Sequence, residues 1–426
     1  MTMEVFQKLG ANVERLWRDK NYSEAHFPAI AERALREFDL PQKVSAWDTV
    51  SWAVGENHLP EQRDLAARFG DPPITLYNSP RFHIDIYFWL DGTTSIHQHG
   101  FCGAFQVLLG SSIHSNYDFK LQEAVNTFIQ FGDLNLDECE LLKVGDVRQI
   151  LAGREFIHAL FHLDQPSATV VIRTSLSPLH QPQFDYRKPF LAIDPFFEDP
   201  TMTKKLQSIS MLLRAKHPNA DQLIATLLEN ADFHSSLIIL SSIKHLLQNN
   251  YLNQLFALSP EENRYQKLFE IVQKRHGALA ETLPKIFAVE KKIGEIVSRR
   301  SYITDPELRF FLALLLNVEG RRRIQSLVKA RFPEADPIEK ILAWVSELSK
   351  IKMLGQQASN ALGIEGFSEL DLFVLEDLLK NLSTDEMQKD LQTEDQTQNV
   401  EESLKDLESR IKKIQQSTIL QSLLAD

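Results

Sequence analysis

The spacing of apolar residues divides the chain into three textures. Over residues 1 to about 48, Val5, Leu9 and Val13 and then Phe27, Ile30, Ala34 and Phe38 recur at three- and four-residue intervals. That period predicts amphipathic helices. From about 74 to 175 the runs ITLYN, FHIDIYFWL, AFQVLLG, IHSNYDF, LLKVGDVRQIL, FIHALFHL and SATVVIRT lie between turn residues. Short β-rich runs of this kind predict an antiparallel sandwich or barrel. One run alternates His83, Asp85, Tyr87 and Trp89 with Ile84, Ile86, Phe88 and Leu90. On a strand this gives a polar-aromatic inner face and an aliphatic outer face. The segment SPLHQPQFDYRKPFLAIDPFFEDP, rich in proline and aromatics, reads as a packed connector.

From about 201 onward the pattern is helical, with Leu206, Ile209, Leu212 and Leu213 at helical spacing and Ser259 with Glu262 in capping-box register. Phe310 to Val318 is apolar on nearly every side and predicts a buried central helix. ISMLLRAKHPNAD, from Ile209, is similar to IQSLVKARFPEAD, from Ile324; each reads as a helix ended by a proline turn, with Asp221 or Asp336 placed to cap the next. Two copies fall short of a solenoid, so a helical bundle is expected. The polar, acidic stretch STDEMQKDLQTEDQTQNVEE from Ser383 predicts a flexible linker. Beyond it Leu404, Leu407, Ile411 and Ile414 form a short apolar seam that either packs on its own domain or pairs with another helix or subunit. The expected architecture is therefore multidomain α+β: a helical lead plus antiparallel β-barrel over 1–195, an all-α domain over 200–382, and an acidic linker with an amphipathic helix over 383–426.

Length agrees with this division, because 426 residues exceed one comfortable core. A net charge of −12 argues against a general nucleic-acid binder. The basic clusters Arg299–Arg300 and Arg321–Arg323 read as solvated helix faces. Cys102 and Cys139 cannot make a disulfide framework, the start MTMEVFQKLGANVERLW lacks the apolar core of a signal peptide, and the longest apolar run, Phe310 to Leu316, is too short to span a membrane. A cytoplasmic protein without membrane or nucleic-acid partners is expected.

The sharpest chemical signal is Ile96-His97-Gln98-His99, following the turn Asp91-Gly92 and followed by Gly100 and later Gly110. Residues two apart on a strand point the same way about 6.6 Å apart, so two imidazoles can converge on one ion. His158 and His162 share strand parity but lie about 13 Å apart on a continuous strand, so only one of them can join the pair. His114 and His180 have no motif support and read as surface histidines.

RFHIDIYFWLDGTTSIHQHGFCGAFQVLLG resembles the first metal-binding motif of the cupin superfamily, and within it the thiol dioxygenases of the cysteine dioxygenase type. GREFIHALFHLDQPSATVVIRTSLSP, with Gly153 at its turn, resembles the second motif. The resemblance covers roughly residues 75 to 178 and implies a jelly-roll barrel. It matches His97 and His99 to the paired metal ligands and His158 to the third, with His162 as a rival or outer partner. Asp85, Tyr87 and Trp89 fall on pocket-lining positions, and Gln106 is a candidate inward hydrogen-bonding group. Asp85 is a candidate partner for a cationic substrate group. The chain also departs from the pattern. Gly103 and Ala104 stand where many cupins place a Glu ligand. Ala104 and Thr174, beside Arg173, stand where cysteine dioxygenase has its Cys–Tyr crosslink, and Cys102 falls two residues early. The family's carboxylate-binding Arg has no counterpart, since Arg68 and Arg81 are at the wrong spacing.

The resemblance thus implies a three-histidine site for Fe(II), with Zn, Ni or Mn as other candidates. The function expected is a metal-dependent oxygenase joining O2 to a small thiol or amine-bearing substrate. Isomerisation or hydrolysis on another divalent ion is a further reading of the same fold. The alternative class is a non-catalytic metal-binding module whose helical half binds a protein partner or a second copy.

Overall fold

The computed structural model describes residues 3–67, 69–90, 94–248, 260–300, 302–353, 360–394 and 400–425. Its strands lie in the N-terminal half and the C-terminal half is helical, an α+β arrangement. Among the described residues no helix is long and apolar enough to cross a membrane.

Three helices lead: α1 (Glu4–Arg18), α2 (Phe27–Phe38) and α3 (Ala46–Gly55). The α1 stripe of Phe6, Leu9, Val13 and Trp17 packs with Phe27, Ala31, Ala34 and Leu35 of α2, and the Trp17 and Phe27 rings lie 4.3 Å apart. Ile84, Ile86 and Phe88 join the same core. The aliphatic face of that strand is therefore covered by helices, which is why it is aliphatic.

The strands are β1 (Pro73–Asn78), β2 (Phe82–Trp89), β3 (Ile96–His99), β4 (Gly103–Leu109), β5 (Ser112–Asn126), β6 (Ile129–Leu142), β7 (Val147–Ile150), β8 (Gly153–His162), β9 (Ser167–Thr174), β10 (Asp185–Arg187) and β11 (Leu191–Ile193). One sheet has the order β1-β2-β9-β4-β7, and the other, β10-β11-β6-β5-β8-β3, closes as a barrel. β2 pairs with β9 along its whole length, from Phe82 opposite Thr174 to Trp89 opposite Ser167. The sequence pattern misses β6, whose middle is exposed and polar, and the short β10 and β11 inside the expected connector. A stretch of strand that buries neither face leaves no alternation to read.

The chain forms two compact units. One comprises residues 1–119, 135–183 and 291–426, and the other 120–134 and 184–290. This differs from the linear order of barrel, helical domain and tail. In the first unit the helix Pro306–Asn317, capped by Asp305, sits in one core with Ile113 of β5, Phe161 of β8 and Leu163 just beyond it. The late helices therefore bury the outward-facing residues of β5 and β8 and do not stand apart. In the second unit Ile129, Phe131, Leu191 and Ile193 share a core with Ile224, Leu228, Leu240, Val272 and Ile286.

Several local expectations change. The expected linker contains a helix, Thr384–Glu394, opened by reciprocal Ser383–Glu386 hydrogen bonds and anchored by buried Met387. Leu407 and Ile414 of the apolar seam pack in the helical core, and the Leu404 side chain lies outside the described residues, as does Ser259 of the capping box. Asp336 caps its helix through Ile338 and Glu339, as the spacing predicts. Asp221 instead lies inside Ala220–Asn230, in the first turn after Asn219, and pairs with Arg264 at 2.6 Å. Arg299 and Arg300 are buried, not solvated. Arg299 donates to the carbonyls of Ala361 and Glu295, and Arg300 lies 4.2 Å from the Phe161 ring centroid.

Asp377, in the helix Glu369–Lys380, is buried with Oδ2 unpartnered. Burial, then the charge of Asp390, pushes its carboxyl up to about 6. The native state therefore holds its proton more tightly than the unfolded chain does. This contribution is favourable below the ordinary value of 3.8, is lost as pH rises through about 6, and leaves a buried charge above that. Asp377→Asn is expected to raise the melting temperature by a few degrees at pH 7.5 and by progressively less towards pH 4. Thermal scans across that range check it; an equal gain at both ends would contradict it.

Candidate metal centre

Pairing of β3 with β8 sets His97 opposite His158, and an irregularity after His97 brings His99 opposite Gly153. Gly153 opens β8 with φ +73, a left-handed conformation that glycine adopts without strain. The ring centroids lie 4.6 Å (His97–His99), 4.8 Å (His97–His158) and 5.0 Å (His99–His158) apart. One nitrogen from each histidine falls within 4.8 Å of the others, and all three residues are buried. His97 Nδ1 donates to the Ser95 carbonyl at 2.8 Å, which puts the ring proton on Nδ1 and the lone pair on Nε2, the tautomer a ligand needs.

His99 Nε2 and His158 Nε2 approach to 2.8 Å, and His99 Nδ1 is buried without a partner. Burial, reinforced by the charge of His97, lowers both groups well below the ordinary histidine value. Both are therefore neutral imidazoles at pH 7. Neutral, closely converging nitrogens in a buried setting fit a divalent ion: without one, one Nε2 must donate its proton to the other at 2.8 Å, and an ion would replace that proton and accept both lone pairs.

The remaining candidate residues divide clearly. His162 stays apart from the cluster. Its Nδ1 meets Ser167 Oγ at 2.8 Å and Ser112 Oγ at 3.2 Å, and its ring stacks on Trp89 with centroids 4.5 Å apart. Asp85 lies on the face of β2 opposite Ile84 and Ile86, the residues that pack against the leading helices. Tyr87 OH donates to Asp85 Oδ2 at 3.0 Å, and His83 Nε2 lies 3.2 Å from the same oxygen, while Oδ1 has no partner. Burial by itself would raise the Asp85 carboxyl, but the His83 hydrogen bond and nearby positive charge hold it below the ordinary range.

Gln106 does not point inward. It alternates with Phe105 and Val107, which pack in the cluster around Leu160 and Val171, and it bonds to the Gly145 carbonyl instead. Its strand-mates Ala104 and Leu108 pack with the leading helices. At Gly103 a Cβ would come within 1.9 Å of the Ile172 carbonyl, so no carboxylate ligand fits there. Cys102 also faces the leading helices, near the Glu24 carbonyl. Arg81 stacks on Tyr22 at 4.1 Å, and Arg68 and the Asp91-Gly92 turn lie outside the described residues. His180 is half-buried, with Nδ1 beside Gly153.

Sequence reasoning gave no site role to four residues placed at or behind the histidines: His114, Glu140, Arg148 and Arg173. His114 is buried, not on the surface. Its Nε2 lies 3.1 Å from His158 Nδ1 and its Nδ1 2.9 Å from Glu140 Oε1. Glu140 is held in turn by a two-pronged contact with Arg148. The available signal was parity: β5 sets Asn116 opposite His158 and His114 opposite Leu160, on one strand face. Arg173, on β9, lies 3.5 Å from the Phe101 ring centroid with Nε unpartnered; Phe101 in turn touches His99.

No protein-family model matches the chain, and no curated protein matches it. Similar solved structures include Peruvianin-I, a cysteine peptidase from Thevetia peruviana latex, at 14% identity over 32% of this chain and 78% of that one, with a TM-score of 0.20. DMSP lyase DddQ from Ruegeria pomeroyi DSS-3 is 15% identical over 42% of this chain and 95% of its own, with a TM-score of 0.22. The capsular polysaccharide assembling protein CapF from Staphylococcus aureus is 15% identical over 28% of this chain and 33% of its own, with a TM-score of 0.18. At TM-scores this low none of them defines the fold or the chemistry of this chain. Its own residues define an α+β protein with a buried three-histidine group able to hold a divalent metal.

Proposed function

We propose that the barrel is a jelly roll of the cupin type and that the protein is a metal-dependent oxygenase acting on a small thiol or amine-bearing substrate. The observation that carries this reading is the convergence of His97, His99 and His158, all buried, around one point. These three residues would hold one divalent ion, with Fe(II) the ion of choice. When bound, that ion supplies a Lewis-acidic centre with free coordination positions, and Fe(II) adds the redox capacity that dioxygen chemistry needs.

Asp85 supports the amine-bearing substrate. It is a buried carboxylate whose Oδ1 has no hydrogen-bond donor, and an ammonium group would supply one. Tyr87 fixes the other oxygen of that carboxylate and so its direction. Phe101, Phe105 and Phe156 surround the histidines with apolar rings that exclude water.

The test is oxygen uptake by protein loaded with Fe(II) under anaerobic conditions and then given oxygen with a panel of thiols and amino-thiols. Uptake well above that of His97→Ala is expected with at least one member of the panel. Uptake no greater than the variant's sinks the oxygenase reading. Stoichiometric metal without turnover would favour a non-catalytic module with a helical partner-binding half. Zinc, nickel or manganese in the protein as purified would favour isomerisation or hydrolysis.

A further inference from the structure

We infer that His114 and Glu140 are positioning residues for the metal centre, together fixing His158 in the tautomer that presents its Nε2 to the ion. The inference rests on the metal-binding reading of the three histidines. It concerns a row of side chains on four strands: Arg148 on β7, Glu140 on β6, His114 on β5 and His158 on β8.

Both ends of the row constrain the protons between them. At the outer end, Arg148 Nε donates to Glu140 Oε1 at 2.8 Å and its Nη2 donates to Oε2. Burial would raise the Glu140 carboxyl, but hydrogen bonds from Arg148 and His114 outweigh it and hold the group at about 2. An ionised carboxylate only accepts, so the 2.9 Å contact requires a proton on His114 Nδ1. At the inner end, a His158 that offers an Nε2 lone pair must carry its proton on Nδ1. That proton needs an acceptor, and His114 Nε2 lies 3.1 Å away. One arrangement satisfies both ends: His158 Nδ1–H donates to His114 Nε2, and His114 Nδ1–H donates to Glu140.

The three histidines are therefore not equivalent. His97 donates to a neutral carbonyl, that of Ser95, and His99 Nδ1 is buried without a partner. His158 is backed, through one intervening ring, by the Glu140 carboxylate. A carboxylate behind a ligand ring fixes its orientation and raises its basicity. With Gly103 too crowded to bear a side chain, Glu140 brings the site a negative charge without touching the ion.

Zinc affinity of the full chain, measured by competition with a chromophoric chelator, tests the inference together with long-range 1H–15N spectra of 15N-histidine-labelled protein. His114→Phe fills a similar space next to Phe105 and Phe156, and Glu140→Gln keeps the size of the carboxylate. Each is expected to weaken zinc binding by roughly 10- to 100-fold. A residue that merely fills space would leave the affinity unchanged in the Phe variant, so wild-type affinity in both variants overturns the inference. The spectra read the tautomers with or without metal. In the wild-type protein both His114 and His158 are expected to carry their proton on Nδ1, and Glu140→Gln to mix the tautomers of His114. A proton on His158 Nε2 in the metal-free wild type also overturns the inference. A wild-type chain that binds no zinc would count against the metal reading itself, while the tautomers would still decide this one.

Discussion

His158→Ala is expected to abolish stoichiometric metal binding, and His162→Ala to leave it intact. The two histidines share a strand and a parity, so their positions in the chain do not separate them. Their surroundings do. The nitrogen of His158 lies 2.8 Å from that of His99, and its ring is 4.8 Å from that of His97. His162 is taken up by two serine hydroxyls and by stacking on Trp89. Losing one of three nitrogen donors removes a coordination bond outright, so the fall in affinity should exceed the roughly 10- to 100-fold typical of an outer partner. Metal content after dialysis against a defined trace of zinc measures both variants. Full occupancy in His158→Ala, or loss of metal in His162→Ala, would move the third ligand to His162. The side chains that replace histidine here leave a cavity, so circular dichroism of both variants confirms that the barrel has formed.

The largest effect on stability is expected from Phe311→Ala. Phe311 is fully buried in the helix Pro306–Asn317, with its ring 5.3 Å from that of Trp344. Its core also contains Ile113 of β5 and Phe161 of β8, the strand that bears His158. Removing a buried phenyl ring forfeits its transfer free energy and leaves a void that the close-packed residues around it close only in part. The cost should be about 3–5 kcal/mol, lowering the thermal midpoint by on the order of 10 °C. Phe311→Leu, which keeps most of the volume, should cost much less. Thermal scans by circular dichroism follow the transition. A midpoint within 2–3 °C of wild type (about 1 kcal/mol for a unit of this size) would show that the late helices contribute little to the unit that contains the barrel strands.

Parts of this organisation were legible before any fold was known. The period of Val5, Leu9 and Val13 announces a helix because burial of one stripe repeats with the helical turn. The alternation from His83 to Leu90 announces a strand with two unlike faces, because successive side chains point opposite ways. His97 and His99 share a face for the same reason, and a continuous apolar stretch from Phe310 marks a helix buried on all sides.

The rest depended on what covers each face, and no local period encodes that. Gln106 alternates with Phe105 whichever way the strand is turned, and only the packing of α2 and the leading core against Ala104 and Leu108 turns Gln106 away from the histidines. The spacing around His114 carries no motif. It becomes part of the site because β5 lies beside β8, a partner 44 residues away in the chain, and because β6 brings Glu140 to its other nitrogen. Arg299 and Arg300 look like a charged surface in sequence and are buried in the fold, where carbonyl oxygens and an aromatic ring receive them. The sequence by itself therefore determined the element types, the α+β class and the convergence of His97 with His99, since these follow from backbone geometry over a few residues. The resemblance matched His158 to the third position, but tertiary structure alone set it beside His97 and His99 and decided which residues stand behind it, because those depend on strand pairing and burial between segments far apart in the chain.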